Sequence, residues 1–119
     1  MFTITSLRVN GKELTVERLQ ELAKKYGVPD YMMDGLFLYL AHGIPPGGFL
    51  TAVLSNDFMG SIERADNNNK LALVGWARLL YNELPSFSWG TPEKVQEWID
   101  AKTQERLNNH PLDTPPTEG

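Results

Sequence analysis

The chain has 119 residues, 41% of them hydrophobic, which suffices for one domain with a core of its own. It contains no cysteine, which excludes a disulfide scaffold, a thiolate metal site and a cysteine nucleophile. Eleven Lys and Arg stand against fifteen Asp and Glu, and the net charge of −4 is the wrong sign for a protein held on nucleic acid by phosphate contacts.

No segment has the pattern of a membrane span or a secretory signal. The longest unbroken apolar run covers residues 36–41, far fewer than the roughly 20 residues that cross a bilayer. No basic region followed by an apolar stretch opens the chain. We therefore expect a cytoplasmic protein with no membrane partner, no cofactor and no metal.

The amino-terminal segment predicts a small β element. Its first nine residues are rich in β-branched and large apolar types, and Asn10-Gly11 then supplies a strong turn signal. Residues 12–14 form the return arm of a ribbon over 1–14. Because two strands alone are marginally stable, this ribbon needs support from the rest of the chain or from a second subunit.

Two helices are predicted next. Thr15 is predicted as the N-cap of the first, and Gly27 as the residue that follows its end. The second covers residues 31–42 and ends at Gly43. It is apolar around nearly its whole circumference, which is typical of a central helix.

The remaining helices follow a joint that two prolines keep out of helical geometry. Pro46 is predicted as the first residue of the third helix. Asp66 caps a long helix over 67–84, and its apolar residues lie on one face: Leu73, Trp76, Ala77, Leu80, Tyr81 and Leu84. Thr91-Pro92 begins the last helix.

The pattern predicts a mainly α fold in one domain over residues 1–110. We expect a single compact bundle of five or six short helices over 15–108, after the small N-terminal β element. Pro, Thr, Asp and Gly dominate residues 111–119, which predicts a disordered tail.

Motifs of enzymes are absent from the sequence. It has no nucleophile elbow, zinc-protease helix, phosphate loop or dinucleotide fingerprint. His42 suits a helix end, and His110 belongs to the tail. The acids Asp57, Glu63 and Asp66 occupy positions that capping or solvent exposure explains. We therefore expect a protein that is not an enzyme.

One segment has the spacing of a helix-turn-helix, over residues 16–30. Its second helix would have to present base-reading and phosphate-reading side chains. No Lys or Arg occurs between Lys25 and Arg64, whereas several Asp do. Because an anionic, apolar helix is repelled by a duplex, we expect no nucleic-acid partner.

The joint before the third helix is the most unusual feature. Pro46, Gly47, Gly48 and Phe49 place glycines in a first helical turn, where they lower helix stability but leave bare backbone N–H groups for an anion. Asn56 and Arg64 could complete such a site. The alternative is that the glycines allow a close helix crossing, and that Arg64 is a surface side chain paired with Asp66.

Several stretches follow one another in a specific spacing: His42-Gly-Ile-Pro-Pro-Gly-Gly-Phe-Leu-Thr-Ala-Val-Leu-Ser-Asn-Asp57, Glu63-Arg-Ala-Asp66, Tyr81-Asn-Glu-Leu-Pro85 and Trp89-Gly-Thr-Pro-Glu93. Over about residues 30–100 the chain thereby resembles a group of short, uncharacterised phage and prophage proteins. The resemblance implies a phage origin, a small helical fold and a place in the cytoplasm of an infected bacterium. It implies no activity and no site residues.

Two non-enzymatic functions remain, beside a third possibility, a structural or assembly role in the virion. In the first, a phage counter-defence protein sequesters a phosphorylated small molecule, such as a nucleotide signal, at the helix start. In the second, an aromatic or apolar surface around Phe87 and Trp89 binds and blocks a host protein. We also expect a homo-oligomer, most simply a dimer, because of the short ribbon and the fully apolar second helix.

Overall fold

The computed structural model describes residues 6–9 and 12–109, and this part of the chain is mainly α-helical, as predicted. The predicted Asn10-Gly11 turn, His110 and the tail over 111–119 lie outside the described residues. The described elements are β1 (Ser6–Val9), β2 (Lys12–Thr15), α1 (Val16–Tyr26), a 3-10 turn (Asp30–Met32), α2 (Met33–His42), α3 (Gly48–Leu54), α4 (Phe58–Arg64), α5 (Asn67–Leu71), α6 (Leu73–Glu83) and α7 (Pro92–Asn109).

The ribbon is supported by the chain's own helices. Strands β1 and β2 pair antiparallel, with Ser6 opposite Thr15 and Val9 opposite Lys12. Strand β1 lies against α2, and β2 lies against α1. The support that a two-stranded element needs therefore comes from within the protomer.

Helix α1 begins and ends where its sequence indicates. The hydroxyl of Thr15 accepts a hydrogen bond from the backbone N–H of Arg18 at 3.0 Å. Gly27 follows the helix with a left-handed φ of 74°, which glycine adopts without strain. Leu19, Leu22 and Ala23 face the core between these caps.

Helix α2 is the centre of the core, as its apolar circumference predicts. It packs against α1 on one side and α7 on another, and its buried residues include Leu36, Leu40 and Tyr39. The Tyr39 hydroxyl donates to the backbone oxygen of Ser88 at 2.6 Å, and burial raises the pKa of this phenol. Because α2 is covered within one chain, it requires no second copy; the dimer stays a prediction.

The third helix begins two residues later than predicted. Gly47 is extended, with φ −67° and ψ 176°, and α3 starts at Gly48. The first intrahelical bond runs from the N–H of Thr51 to the oxygen of Gly47 at 2.9 Å. The Thr51 hydroxyl also donates to the backbone oxygen of Pro46 at 3.1 Å, which ties the joint to the first turn of α3.

The predicted helix over 67–84 is divided, and the described part therefore has seven α-helices instead of five or six. Ala72, with φ −103° and ψ 9°, separates α5 from α6. Across this break the indole N–H of Trp76 donates to the side-chain oxygen of Asn69 at 2.9 Å, and both side chains are buried. A polar side chain in the core is thereby satisfied.

Candidate functional site

Helix α6 has apolar residues on two faces. Trp76, Leu79 and Leu80 are buried against the core. Ala77 and Tyr81, which were expected on the same buried face, are exposed instead. The core covers only one side of α6, so part of its apolar surface is left facing solvent.

This exposed surface forms one wall of an apolar groove of about 570 Å³. The opposite wall comes from α3, α4 and the turn between them, and Trp89 of the 84–91 loop also lines the groove. The lining residues are Val53, Asn56, Asp57, Phe58, Ser61, Leu73, Val74, Trp76, Ala77, Arg78, Leu80, Tyr81, Asn82 and Trp89. The volume lies in the range of roughly 300–1,000 Å³ that is typical of binding sites.

Large apolar side chains of the groove extend into solvent. Phe58 is 67% exposed, Val74 is 75% exposed and Tyr81 is 78% exposed. Single exposed apolar residues are common, but a contiguous group of them around a concave surface is typical of interaction sites. The exposure of all three was not predicted from the sequence, although α6 has more apolar residues than one core face needs, which was a signal for Val74 and Tyr81.

Two tryptophans belong to the same groove. Trp76 is 1% exposed and packs edge-on against Phe49, with ring centroids 5.9 Å apart. Trp89 is half-buried, and its indole N–H is buried without a hydrogen-bond partner in the described part of the chain.

Hydrogen bonds fix the loop on both sides of Trp89, at Ser88 and at Gly90. The oxygen of Ser88 accepts the Tyr39 hydroxyl, and the N–H of Gly90 donates to the oxygen of Leu54 at 2.7 Å. Phe87, which we predicted to share an aromatic surface with Trp89, is 77% exposed and does not line the groove. Of the predicted pair, Trp89 alone belongs to this site.

The polar residues at the α3–α4 corner have structural roles in the turn between the two helices. Asp57 caps α4, since its carboxylate accepts from the N–H of Gly60 at 3.0 Å. The Ser61 hydroxyl donates to the backbone oxygen of Asp57 at 2.7 Å. Asn56 has a left-handed φ of 63°, which an Asn adopts more readily than most residues do. These groups shape the corner of the groove.

The predicted anion site is only partly assembled. The fold brings Arg64 to Gly48: a Cβ added to Gly48 would lie 3.2 Å from Cδ of Arg64 and 3.5 Å from its Nε. The guanidinium donates to the oxygen of Gly60 at 3.3 Å. Asn56 lines the apolar groove instead. The apolar stem of Arg64 therefore lies next to Gly48, whereas Gly47 has open space beside it, and both interpretations of the glycines stay predictions.

A smaller pocket of about 280 Å³ adjoins the joint and is lined by Tyr31, Met32, Gly35, Pro46, Gly47, Gly48, Phe49 and Leu50. The Tyr31 hydroxyl donates to the Asp66 carboxylate at 2.5 Å. This hydrogen bond lowers the pKa of Asp66, as does a second one from the N–H of Asn69, and the carboxylate raises the pKa of Tyr31. A negative charge thus lies one hydrogen bond away from the pocket wall, which disfavours an anion there.

Two further properties concern the described residues as a group. Among them, no three His, Asp or Glu side chains come together in a way that could hold a metal ion. No helix in the same part of the chain is long and apolar enough to cross a membrane.

Comparison of the chain with protein-family models, with curated proteins and with solved structures gave no match. The resemblance to phage proteins therefore stays a prediction, and the site is interpreted from its own geometry.

Proposed function

We propose that this protein is a non-enzymatic binding protein that receives an apolar helix of a partner protein in the apolar groove. One observation carries the proposal: three large apolar side chains, Phe58, Val74 and Tyr81, are each at least two-thirds exposed around a concave apolar surface. In the phage setting that the sequence suggests, the partner is a host protein.

The composition of the groove suits a protein partner. Aromatic side chains are enriched at the centres of protein interfaces and contribute much of their binding energy. Here Trp76 and Trp89 lie in the groove, and Phe58 and Tyr81 stand at its exposed margin. A partner that covered these margins would bury apolar surface, and each Å² removed from water would contribute about 25 cal/mol of favourable binding free energy.

A pair of aspartate substitutions tests this proposal. Val74→Asp places a charge in the groove, and the matched control Leu71→Asp places one at a 90% exposed position outside its lining. Both sites are on the surface, so each change should alter the free energy of unfolding by about 0.5 kcal/mol or less.

The measurement is affinity capture from a bacterial extract, quantified against the wild-type protein. We expect Leu71→Asp to retain the captured partner and Val74→Asp to lose at least about 90% of it, since burying an unpaired charge at an interface costs more than 1.4 kcal/mol. Equal capture by both variants would show that the groove is not the binding surface.

A second proposal is capture of a phosphorylated small molecule at the joint. What supports it is the approach of Arg64 to Gly48 beside a helix start, where the N–H groups before Thr51 have no bond within α3. The Asp66 carboxylate near the same joint opposes an anion, which ranks this proposal below the groove. A ligand at about 100 times its dissociation constant would stabilise the protein by roughly 2.7 kcal/mol. A thermal-shift screen of cyclic and linear nucleotides tests this, with Gly48→Asp and Arg64→Ala expected to abolish any shift.

A further inference from the structure

We propose that the partner helix carries acidic side chains beside its apolar anchors and that Arg78 binds them. This inference rests on the proposed function, in which the groove receives a helix. It adds the charge pattern by which the protein would select one apolar helix over another.

The walls of the groove favour a helix over an added β-strand. They are formed by α3, α4 and α6 together with loop residues, and the backbone groups of the helices are bonded within them. A segment that binds as an added β-strand needs a free strand edge for its own backbone hydrogen bonds. The ribbon, which is the one sheet in the described part of the chain, lies against α1 and α2 instead. A helix satisfies its backbone internally and needs only the apolar contacts.

Arg78 is the charged group of the groove that remains uncompensated. Its guanidinium carbon lies 5.8 Å from the centre of the Tyr26 ring, on the α1 side of α6. Among the residues that the structure describes, no carboxylate lies within ion-pair distance of Arg78, and its side chain is exposed. The other charged lining residue, Asp57, already caps the amino terminus of α4.

A second cation lies near the same tyrosine ring, but it has an acid within ion-pair distance. The Lys25 ammonium lies 5.3 Å from the centre of the same Tyr26 ring. The nearby acid, Glu83, accepts the Tyr26 hydroxyl at 2.6 Å and lies 3.7 Å from the Lys25 ammonium. Glu83 therefore offsets the charge of Lys25, and Arg78 keeps its uncompensated positive charge in a chain whose net charge is −4. An acid on the partner would find attraction here and repulsion over much of the remaining surface.

Two designed peptides of about 18 residues, long enough to form a helix in water, test the inference with the full-length protein. Both carry the same Leu and Phe residues on one helical face; one has Glu at the flanking positions and the other has Lys. Binding is measured by fluorescence anisotropy at about 0.05 M and about 0.5 M salt, where screening differs strongly.

We expect the Glu peptide to bind the wild-type protein at least about fivefold more tightly than the Lys peptide at low salt, with the difference shrinking at high salt. Arg78→Glu should reverse the preference, and Arg78→Gln, a milder change, should abolish it. The control Lys70→Glu changes an exposed cation outside the groove lining and should preserve the wild-type preference.

The outcomes separate this inference from the proposed function. Equal affinity for the two peptides, lost in both cases with Val74→Asp, would overturn the acidic partner and leave the groove as a helix-binding site. No binding of either peptide would contradict the proposed function itself. A wild-type dimer that Val74→Asp converts to a monomer in sedimentation would show that the groove holds a second copy, which also overturns the inference.

Discussion

Two glycines at equivalent positions of their helices should respond in opposite directions to the same substitution. Gly35 is the third residue of α2 and Gly75 is the third residue of α6. A Cβ on Gly35 would meet nothing within 4 Å. A Cβ on Gly75 would collide with the backbone oxygen of Tyr26 and lie 3.3 Å from Cγ1 of Val28. Comparing the two alanine substitutions therefore separates the effect of helix propensity on stability from the effect of packing.

The magnitudes follow from these surroundings. Gly35→Ala gains helix propensity without a contact, so we expect it to raise the free energy of unfolding by about 0.5–1 kcal/mol. Gly75→Ala gains the same propensity, but it forces α6 away from the end of α1, and overpacking of this kind costs about 1–3 kcal/mol. The obstacle is backbone next to the left-handed Gly27 and cannot rotate aside as a side chain could. We expect a net loss of about 1–2 kcal/mol, since the strain exceeds the propensity gain.

The assay is thermal and urea unfolding of both variants beside the wild-type protein. At about 4 °C per kcal/mol, Gly35→Ala should raise Tm by about 2–4 °C and Gly75→Ala should lower it by about 4–8 °C. The urea m-value should stay constant, because neither change alters the surface exposed on unfolding. If Gly75→Ala matched or exceeded the stability of the wild-type protein, the close approach of α6 to α1 would be refuted, and with it the position of the α6 wall of the groove.

Three further substitutions test individual hydrogen bonds. Trp76→Phe leaves the buried side-chain oxygen of Asn69 without its donor and should cost about 1–3 kcal/mol in urea unfolding. Trp98→Phe removes a half-buried bond of 3.2 Å to a backbone oxygen and should cost about 0.5–1.5 kcal/mol; a larger loss than for Trp76→Phe would contradict this ranking. Because the folded pKa of Asp66 is lowered, its contribution to stability is present above its unfolded pKa, about 3.9, and is lost as pH falls through the folded pKa. Tyr31→Phe removes the largest cause of that shift, so carboxylate titration by NMR should give a higher pKa for Asp66; an unchanged pKa would exclude the hydrogen bond.

Local chemistry made much of the fold predictable. The cap at Thr15 and the left-handed glycines at Gly27 and Gly43 depend on groups within a few residues of each other, and the structure has all three as expected. The apolar circumference of α2 could be recognised because a helix without a polar face is stable only when neighbours surround it. The mainly α class followed from such signals.

The candidate site was less predictable, because its parts meet over long stretches of chain. Phe87 and Trp89 are two residues apart in a loop whose course depends on a hydrogen bond from Tyr39, 49 residues away from Ser88. Arg64 was identified from its position in the sequence, but only the fold shows that its stem lies across Gly48. Periodicity assigned Tyr81 to the core with Leu80, although the two differ by about 100° around the helix axis.

The sequence by itself determined the mainly helical class, where several helices begin and end, and which helix is central, because caps, prolines and apolar periodicity act over a few residues. Tertiary structure alone decided which face of α6 is covered. That helix has enough apolar residues for two faces, and the packing of Gly75 against Tyr26 turns one of them toward α1 while Val74 and Tyr81 remain in solvent. The groove exists because the free energy of burying apolar surface is gained only where a neighbouring element is present to cover it.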